Sequence, residues 1–317
     1  MVEGIKLCHK FIGEATDHLA RRVGAGLGGL LNATFGNAAE LIIAFFALKA
    51  GLIEIVKASI TGSIIGNILL VMGAAMFAGG LRFSKQNFSK TAVLSSASTL
   101  LLAVIALVMP AILLLTVPGV ETRTVEHVSF VVSLLMIGIY GASLLFSLHT
   151  HRHLYVEEIA EYGPAWSREK SLVVLAVSVV AVAWMSELLV GTIEPIVAGL
   201  GWTEMFVGVI VIAIIGNVAE HTSAIVVAVK NRMDLAIQIA LGSATQIAMF
   251  VAPVLVLGSF LFNTHITLVF GMFELITIVL SVLIANVVVE DGESNWFEGL
   301  QLLFAYFIIG VAFFFHP

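Results

Sequence analysis

Along this chain apolar residues run for twenty or more positions at a time, and polar ones are confined to short connections between the runs. Nine runs stand out, at about 24–50, 55–81, 91–118, 125–148, 171–197, 203–229, 235–261, 266–289 and 297–315. Each is long enough for a helix to cross a bilayer core of roughly 30 Å. The pattern predicts an all-α, polytopic membrane protein. Residues 1–23 are different: Glu14, Asp17, His18, Arg21 and Arg22 are too many charges to immerse, so this stretch is expected to be a polar or interfacial helix that does not span.

Within the first run stands Gly36-Asn37-Ala38-Ala39-Glu40, and the pattern returns as Gly216-Asn217-Val218-Ala219-Glu220, 180 residues further on. The register holds downstream without a gap, aligning Glu54 with Asp234, Gly62-Ser63 with Gly242-Ser243 and Val71 with Val251. This is an internal duplication. The first copy fills runs one and two and the second fills runs six and seven, an odd offset, so the copies cross the membrane in opposite directions. Two inverted-topology repeats with glycine-interrupted helices bring their half-sites together near the midplane, and Glu40 and Glu220 with them.

The polar connection 149–170 divides the chain into halves, 1–148 and 171–317. It contains an amphipathic acidic segment with Glu157, Glu158 and Glu161, ended by Gly163-Pro164. This is either a solvated linker or a regulatory, cation-contacting element. Twelve of the Lys and Arg residues fall on one side of the predicted topology, against Lys49, Lys57 and Arg123 on the other. That bias puts the N-terminus and the 149–170 connection in the cytoplasm.

Composition agrees: 60% of residues are apolar, 11% are charged and the mean hydropathy is +1.08. The net charge of −6 comes without a basic tract beyond Arg21-Arg22, which gives no reason to expect a nucleic-acid partner. The single cysteine, Cys8, rules out an internal disulfide and a cysteine metal cluster. The charges in the first twenty residues interrupt any apolar core of a cleavable signal peptide.

A carboxylate near the middle of a span costs at least about 2.5 kcal/mol to insert, so it marks function. Held in low dielectric, it binds a proton or a metal ion. Glu40 and Glu220 together carry two negative charges, matched by one divalent cation or by two protons. Either occupant leaves the site near neutral, while the empty site is disfavoured, and that is a physical basis for obligatory exchange. Further oxygens are at hand from Asn37, Asn217, Ser63, Ser243, Asn67, Gln246 and Thr34, and Gly36 and Gly216 can break the helices and release carbonyls. Such a set suits a hard divalent ion, and no Cys or His pairing on these spans selects zinc or copper. Gly62-Ser63 and Gly242-Ser243 also read as close-packing positions. His221 either tunes Glu220 and relays protons or donates a hydrogen bond to another helix. Glu187 pairs with Glu14, across a gap, as a gate carboxylate preceding each repeat. Glu274, Glu194, Glu204 and the cluster His149, His151 and His153 are weaker candidates.

The words Leu27 to Leu41, Val207 to His221, Gly242-Ser-Ala-Thr-Gln246-Ile and Asp291-Gly-Glu-Ser-Asn-Trp296 resemble those of the Ca²⁺/H⁺ exchangers of the cation/Ca²⁺ exchanger superfamily. The resemblance runs from about residue 13 to the C-terminus. It implies that Glu40 and Glu220 are shared Ca²⁺ and proton carriers, supported by neighbouring Asn and Ser side chains and backbone carbonyls. It also implies that 155–162 is the family's acidic helix, and that residues 5–20 enter the membrane as a short tenth segment gating the first copy. The expected activity is Ca²⁺ export driven by the proton gradient, with Ca²⁺ as substrate, no cofactor and no enzymatic step. Two rivals stand beside it. A Na⁺-coupled Ca²⁺ exchanger generally carries a proline before the acid, where Ala39 and Ala219 stand here, and a channel is disfavoured by the inverted duplication. No His-Glu-x-x-His motif points to an intramembrane enzyme. Short termini favour a prokaryotic plasma membrane over a vacuole; oligomeric state is not read from these patterns.

Overall fold

The computed structural model describes residues 2–23, 31, 34–151, 166–261 and 265–316. Their helices are α1 (Val2–Val23), α2 (Ala38–Lys49), α3 (Ile53–Arg82), α4 (Lys90–Thr116), α5 (Thr122–Thr150), α6 (Arg168–Leu200), α7 (Glu204–Gly216), α8 (Val218–Ala228), α9 (Met233–Ser259), α10 (Met272–Val288) and α11 (Trp296–Phe315). Eight of the nine apolar runs carry the helices α3 to α11; of the run 24–50, α2 covers Ala38–Lys49, and residues 24–30, 32 and 33 lie outside the described residues. Six of the described helices are long and apolar enough to cross a membrane, and α7 with α8, bent by 58° at Asn217, is apolar enough to make a broken seventh span or a re-entrant pair. The acidic segment bearing Glu157, Glu158 and Glu161 lies outside the described residues.

The duplication is visible in the backbone. α3 and α9, equivalent in the two copies, are the central pair, with 72% of each apolar window buried, against 22% for α5 and α11. Both widen into a π-helical turn, at Gly66–Val71 in α3 and at Ile247–Val251 in α9, the same place in the two copies. Such turns are uncommon and cluster at functional sites. Both copies also break at their Gly-Asn word: α2 starts after Gly36-Asn37, and α8 starts after Asn217.

Connections assigned to one side by the topology count meet one another. Gln86–Asn87 (β1) pairs antiparallel with Glu293–Ser294 (β2), and Gln86 Nε2 donates to the Ala228 carbonyl at 2.9 Å and to Asn231 Oδ1 at 3.0 Å. At the other end His265 Nδ1 lies 3.4 Å from Glu126 Oε1. α11 begins with a reciprocal cap in which Asn295 Oδ1 accepts from the Phe297 and Glu298 amides and Glu298 accepts from the Asn295 amide.

One expectation needs correction. α1 is not among the helices apolar enough to cross a membrane, as expected, but it does not stand apart: one face packs antiparallel along α6. Arg22 Nε donates to the Trp166 carbonyl at 2.8 Å just before α6 begins, while Gly4 meets Met185 deep along it. The charge count misled because it ignored the helix face. Ile5, His9, Ile12, Thr16 and Leu19 form a buried stripe at three- and four-residue spacing, while Lys10 and Asp17 point away from it.

Glycines bring the helices into backbone contact. A Cβ at Gly62 of α3 would sit 2.0 Å from the Val209 carbonyl oxygen of α7, and one at Gly299 of α11 would sit 2.2 Å from the Phe77 amide nitrogen of α3. Gly299→Val is therefore expected to lower the detergent melting temperature by several degrees, a loss of about 1–3 kcal/mol or more. Gly138→Ala, where nothing lies within 4 Å among the described residues, serves as the control and should match or slightly exceed the parent.

Candidate functional site

The helix breaks decide where the two carboxylates stand. Glu40 is in the first turn of α2 and Glu220 in the first turn of α8, so each sits at the electropositive start of a helix that begins inside the bundle. Glu40 is 8% exposed, and its Cγ lies 3.2 Å from where a Cβ on Gly216 would be. Gly216 thus contributes room for the acid of the other copy as well as a weak point in its own helix. Glu220 lies about one helical turn beyond Gly216, so both acids stand at the same break between α7 and α8.

Around them a polar chain crosses between the copies. Ser243 Oγ donates to Asn37 Oδ1 at 2.8 Å, and Asn217 Nδ2 donates to Ser63 Oγ at 2.8 Å. Each broken-helix asparagine therefore bonds the serine of the opposite repeat, as a pseudo-two-fold axis requires. Asn67, fully buried beside the α3 π-turn, joins the two pairs by donating to Asn217 Oδ1 and to Ser243 Oγ, both at 2.9 Å. Gln246 extends the chain by accepting from Asn37 Nδ2. The symmetry stops with these last two: Ile247 stands where Asn67 has its counterpart, and Gly66 where Gln246 has its own.

Several acceptors here have no hydrogen-bond partner among the described residues: both oxygens of Glu40, Oε2 of Glu220 and Oδ1 of Asn67. Buried oxygens are nearly always paired, so these bare lone pairs have the chemistry to take a cation or protons. Among the described residues no three His, Cys, Asp or Glu side chains gather as a metal group. The donor set is instead two carboxylates with amides and hydroxyls, the mixed oxygen chemistry of a calcium-type site.

The remaining candidates fall elsewhere or play other parts. His221 is half-buried next to Glu220. Glu187 is exposed on α6 and Glu14 is half-exposed, 3.8 Å from Lys10, so neither joins the cluster. Glu274 is buried but its oxygens accept from Thr61 Oγ1 at 3.0 Å and from the Gly271 amide at 2.8 Å, which fastens the start of α10 to α3. His9 was missed. Its Nε2 lies 3.2 Å from Glu220 Oε1, with the ring 7% exposed, and the spacing of the α1 apolar stripe was the available signal. A cavity of about 530 Å³ opens between α4, α5 and α9, lined by hydroxyls such as Ser95, Thr99 and Ser143 and by Gln238, and it reaches Gln246.

Comparison with known proteins gives the family and the fold. The sequence model of the sodium/calcium exchanger protein family matches residues 2–149 and 170–315. A Ca²⁺/H⁺ antiporter of Synechocystis is 48% identical, over 97% of this chain and 87% of its own length. The Ca²⁺/H⁺ antiporter ChaA of Bacillus subtilis is 46% identical, over 96% and 88%. Among solved structures, native YfkE superposes with a TM-score of 0.85 at 43% identity, over 98% of this chain and 90% of YfkE. The H⁺/Ca²⁺ exchanger CAX, with a TM-score of 0.74 at 13% identity over 98% of this chain and 83% of its own, shares the fold.

The position of Asn67 yields a direct check. Asn67→Ala removes the donor to Asn217 and Ser243 and should destabilise the purified protein by about 1–3 kcal/mol through the groups left unpaired. The stabilisation conferred by a divalent cation in a melting assay should shrink as well; an unchanged melting curve with and without the cation would remove Asn67 from the site.

Proposed function

Because the chain belongs to the sodium/calcium exchanger family and to its Ca²⁺/H⁺ antiporter branch, we propose that it exchanges Ca²⁺ for H⁺ across a membrane by alternating access, with Glu40 and Glu220 carrying both ions in turn. The observation that carries this reading is the pair of buried carboxylates on broken helices of the two inverted copies, three of whose four oxygens lack a hydrogen bond among the described residues.

Ca²⁺ is held by the Glu40 and Glu220 carboxylates and by Asn67 Oδ1, and the rest of the six to eight oxygens such an ion takes are drawn from among those of Asn37, Asn217, Ser63, Ser243 and Gln246. The Gly36 and Gly216 carbonyls stand at the breaks to add to it. Protons compete for the same carboxylates, so the loaded forms are the Ca²⁺ form and the doubly protonated form. Both are close to neutral, and only they move between the two sides, because the doubly ionised site is costly at that depth. The end of the bundle with the 82–90 and 230–234 connections faces the cytoplasm, where Ca²⁺ enters, and protons drive it out on the other side. The membrane is a prokaryotic plasma membrane, a reading the bacterial relatives support.

The pH dependence has a fixed sign. Lowering pH on the loading side protonates the carboxylates and raises the apparent KM for Ca²⁺; raising pH lowers it, by up to about tenfold per pH unit for each proton displaced. In proteoliposomes without Na⁺, Ca²⁺ uptake and internal pH followed together should show counter-movement of protons, and Glu40→Gln or Glu220→Gln should each abolish it. Ca²⁺ flux without proton movement, a requirement for Na⁺, or full coupled transport in either variant would overturn the shared-carboxylate mechanism.

A further inference from the structure

The two carboxylates are not held alike. Both oxygens of Glu40 are bare, whereas Oε1 of Glu220 is 3.2 Å from His9 Nε2 and only Oε2 is bare. His9 belongs to α1, which lies along α6, also packs against α2, α7 and α8, and makes its polar contact with Glu220 through this side chain. In the register that pairs Glu14 with Glu187, the α6 position matching His9 is Val182, buried and apolar, so Glu40 receives no equivalent contact from that register. An imidazole carrying a proton on Nε2 donates to a carboxylate whether the ring is neutral or charged. The argument therefore rests on the contact and not on the ring's charge.

Resting on the shared-carboxylate reading, we propose that His9 is a positioning residue that holds one oxygen of Glu220 out of the cation site. A divalent cation that takes both Glu220 oxygens has to displace the His9 N–H, and in doing so it releases α1 from α8. Occupancy of the site is thereby coupled to a helix that supplies no cation ligand. Glu40, with both oxygens bare, is the first contact for an arriving cation, and Glu220 closes on it afterwards.

The test is Ca²⁺ transport kinetics at a single fixed pH in proteoliposomes for His9→Leu and His9→Gln, with the Glu220→Gln single variant checked for loss of transport and the combinations with Glu220→Gln used in the melting measurement alone. His9→Leu removes the competitor, so KM for Ca²⁺ should fall on the order of tenfold, with kcat falling in parallel because release becomes slow. His9→Gln places an amide N–H near the position of Nε2 and should return both constants toward the parent values. Melting of the same proteins with and without Ca²⁺ gives a second reading: His9→Leu should show a larger Ca²⁺-induced shift, and that difference should vanish with Glu220→Gln. A KM in His9→Leu that is unchanged or raised, in protein that melts normally, overturns the proposal, as does a Gln variant indistinguishable from Leu. Those outcomes leave the shared-carboxylate reading standing if Glu220→Gln alone is inactive; coupled transport in Glu220→Gln sinks that reading instead.

Discussion

A carboxylate far from water needs a cation, a proton or a hydrogen bond, and the architecture is arranged around two carboxylates that have few bonds of their own. Burying a bare Glu40 is costly, and a proton or a cation at its oxygens relieves that cost. The helix breaks after Asn37 and Asn217 follow from this demand. They place each acid at the start of a helix and leave backbone and amide groups turned toward it, which an unbroken helix would have consumed in its own ladder. The π-turns of α3 and α9 lie in the same layer and set Asn67 and the Gln246 region against the breaks.

The polar chain from Gln246 through Asn37, Ser243, Asn67 and Asn217 to Ser63 ties the copies together more specifically than apolar packing can. Between membrane helices there is little hydrophobic preference for one register over another, since lipid tails are as apolar as the side chains. Directional bonds and glycine contacts settle it. Where the chain is symmetric, as in the crossed Asn–Ser pairs, it records the duplication; where it is not, at Asn67 and Gln246, it records divergence since.

Much of this was legible in the sequence because the membrane imposes simple rules. Long apolar runs located the helices, and a repeated acid in a glycine-broken run located the site, since neither is tolerated without cause. The His9 contact was not legible. It joins residues on α1 and α8 with no repeat to mark it, and a tally of charges in residues 1–23 obscured the buried face on which His9 lies. The crossing of Asn37 to Gln246 spans 209 positions and likewise has no local signature. Asn67 was visible as a polar residue in an apolar run, but its central place depends on which faces α3 and α8 present to each other. The poor standing of Glu187 has the same origin: the sequence gives its depth in a helix and not the direction in which it points.

Gly62 and Gly242 are the same position in the two copies, yet they meet different surroundings. The first is shut against the Val209 backbone and the second lines the cavity that reaches Gln246. One sequence motif thus meets two different packing environments within a single molecule. In an inverted pair, trading those environments between copies is the change that opens such a molecule at its other end. The copies differ at most aligned positions, and two of the differences, Asn67 against Ile247 and Gln246 against Gly66, lie in the polar chain itself, so exchanging the roles of the copies does not reproduce that chain.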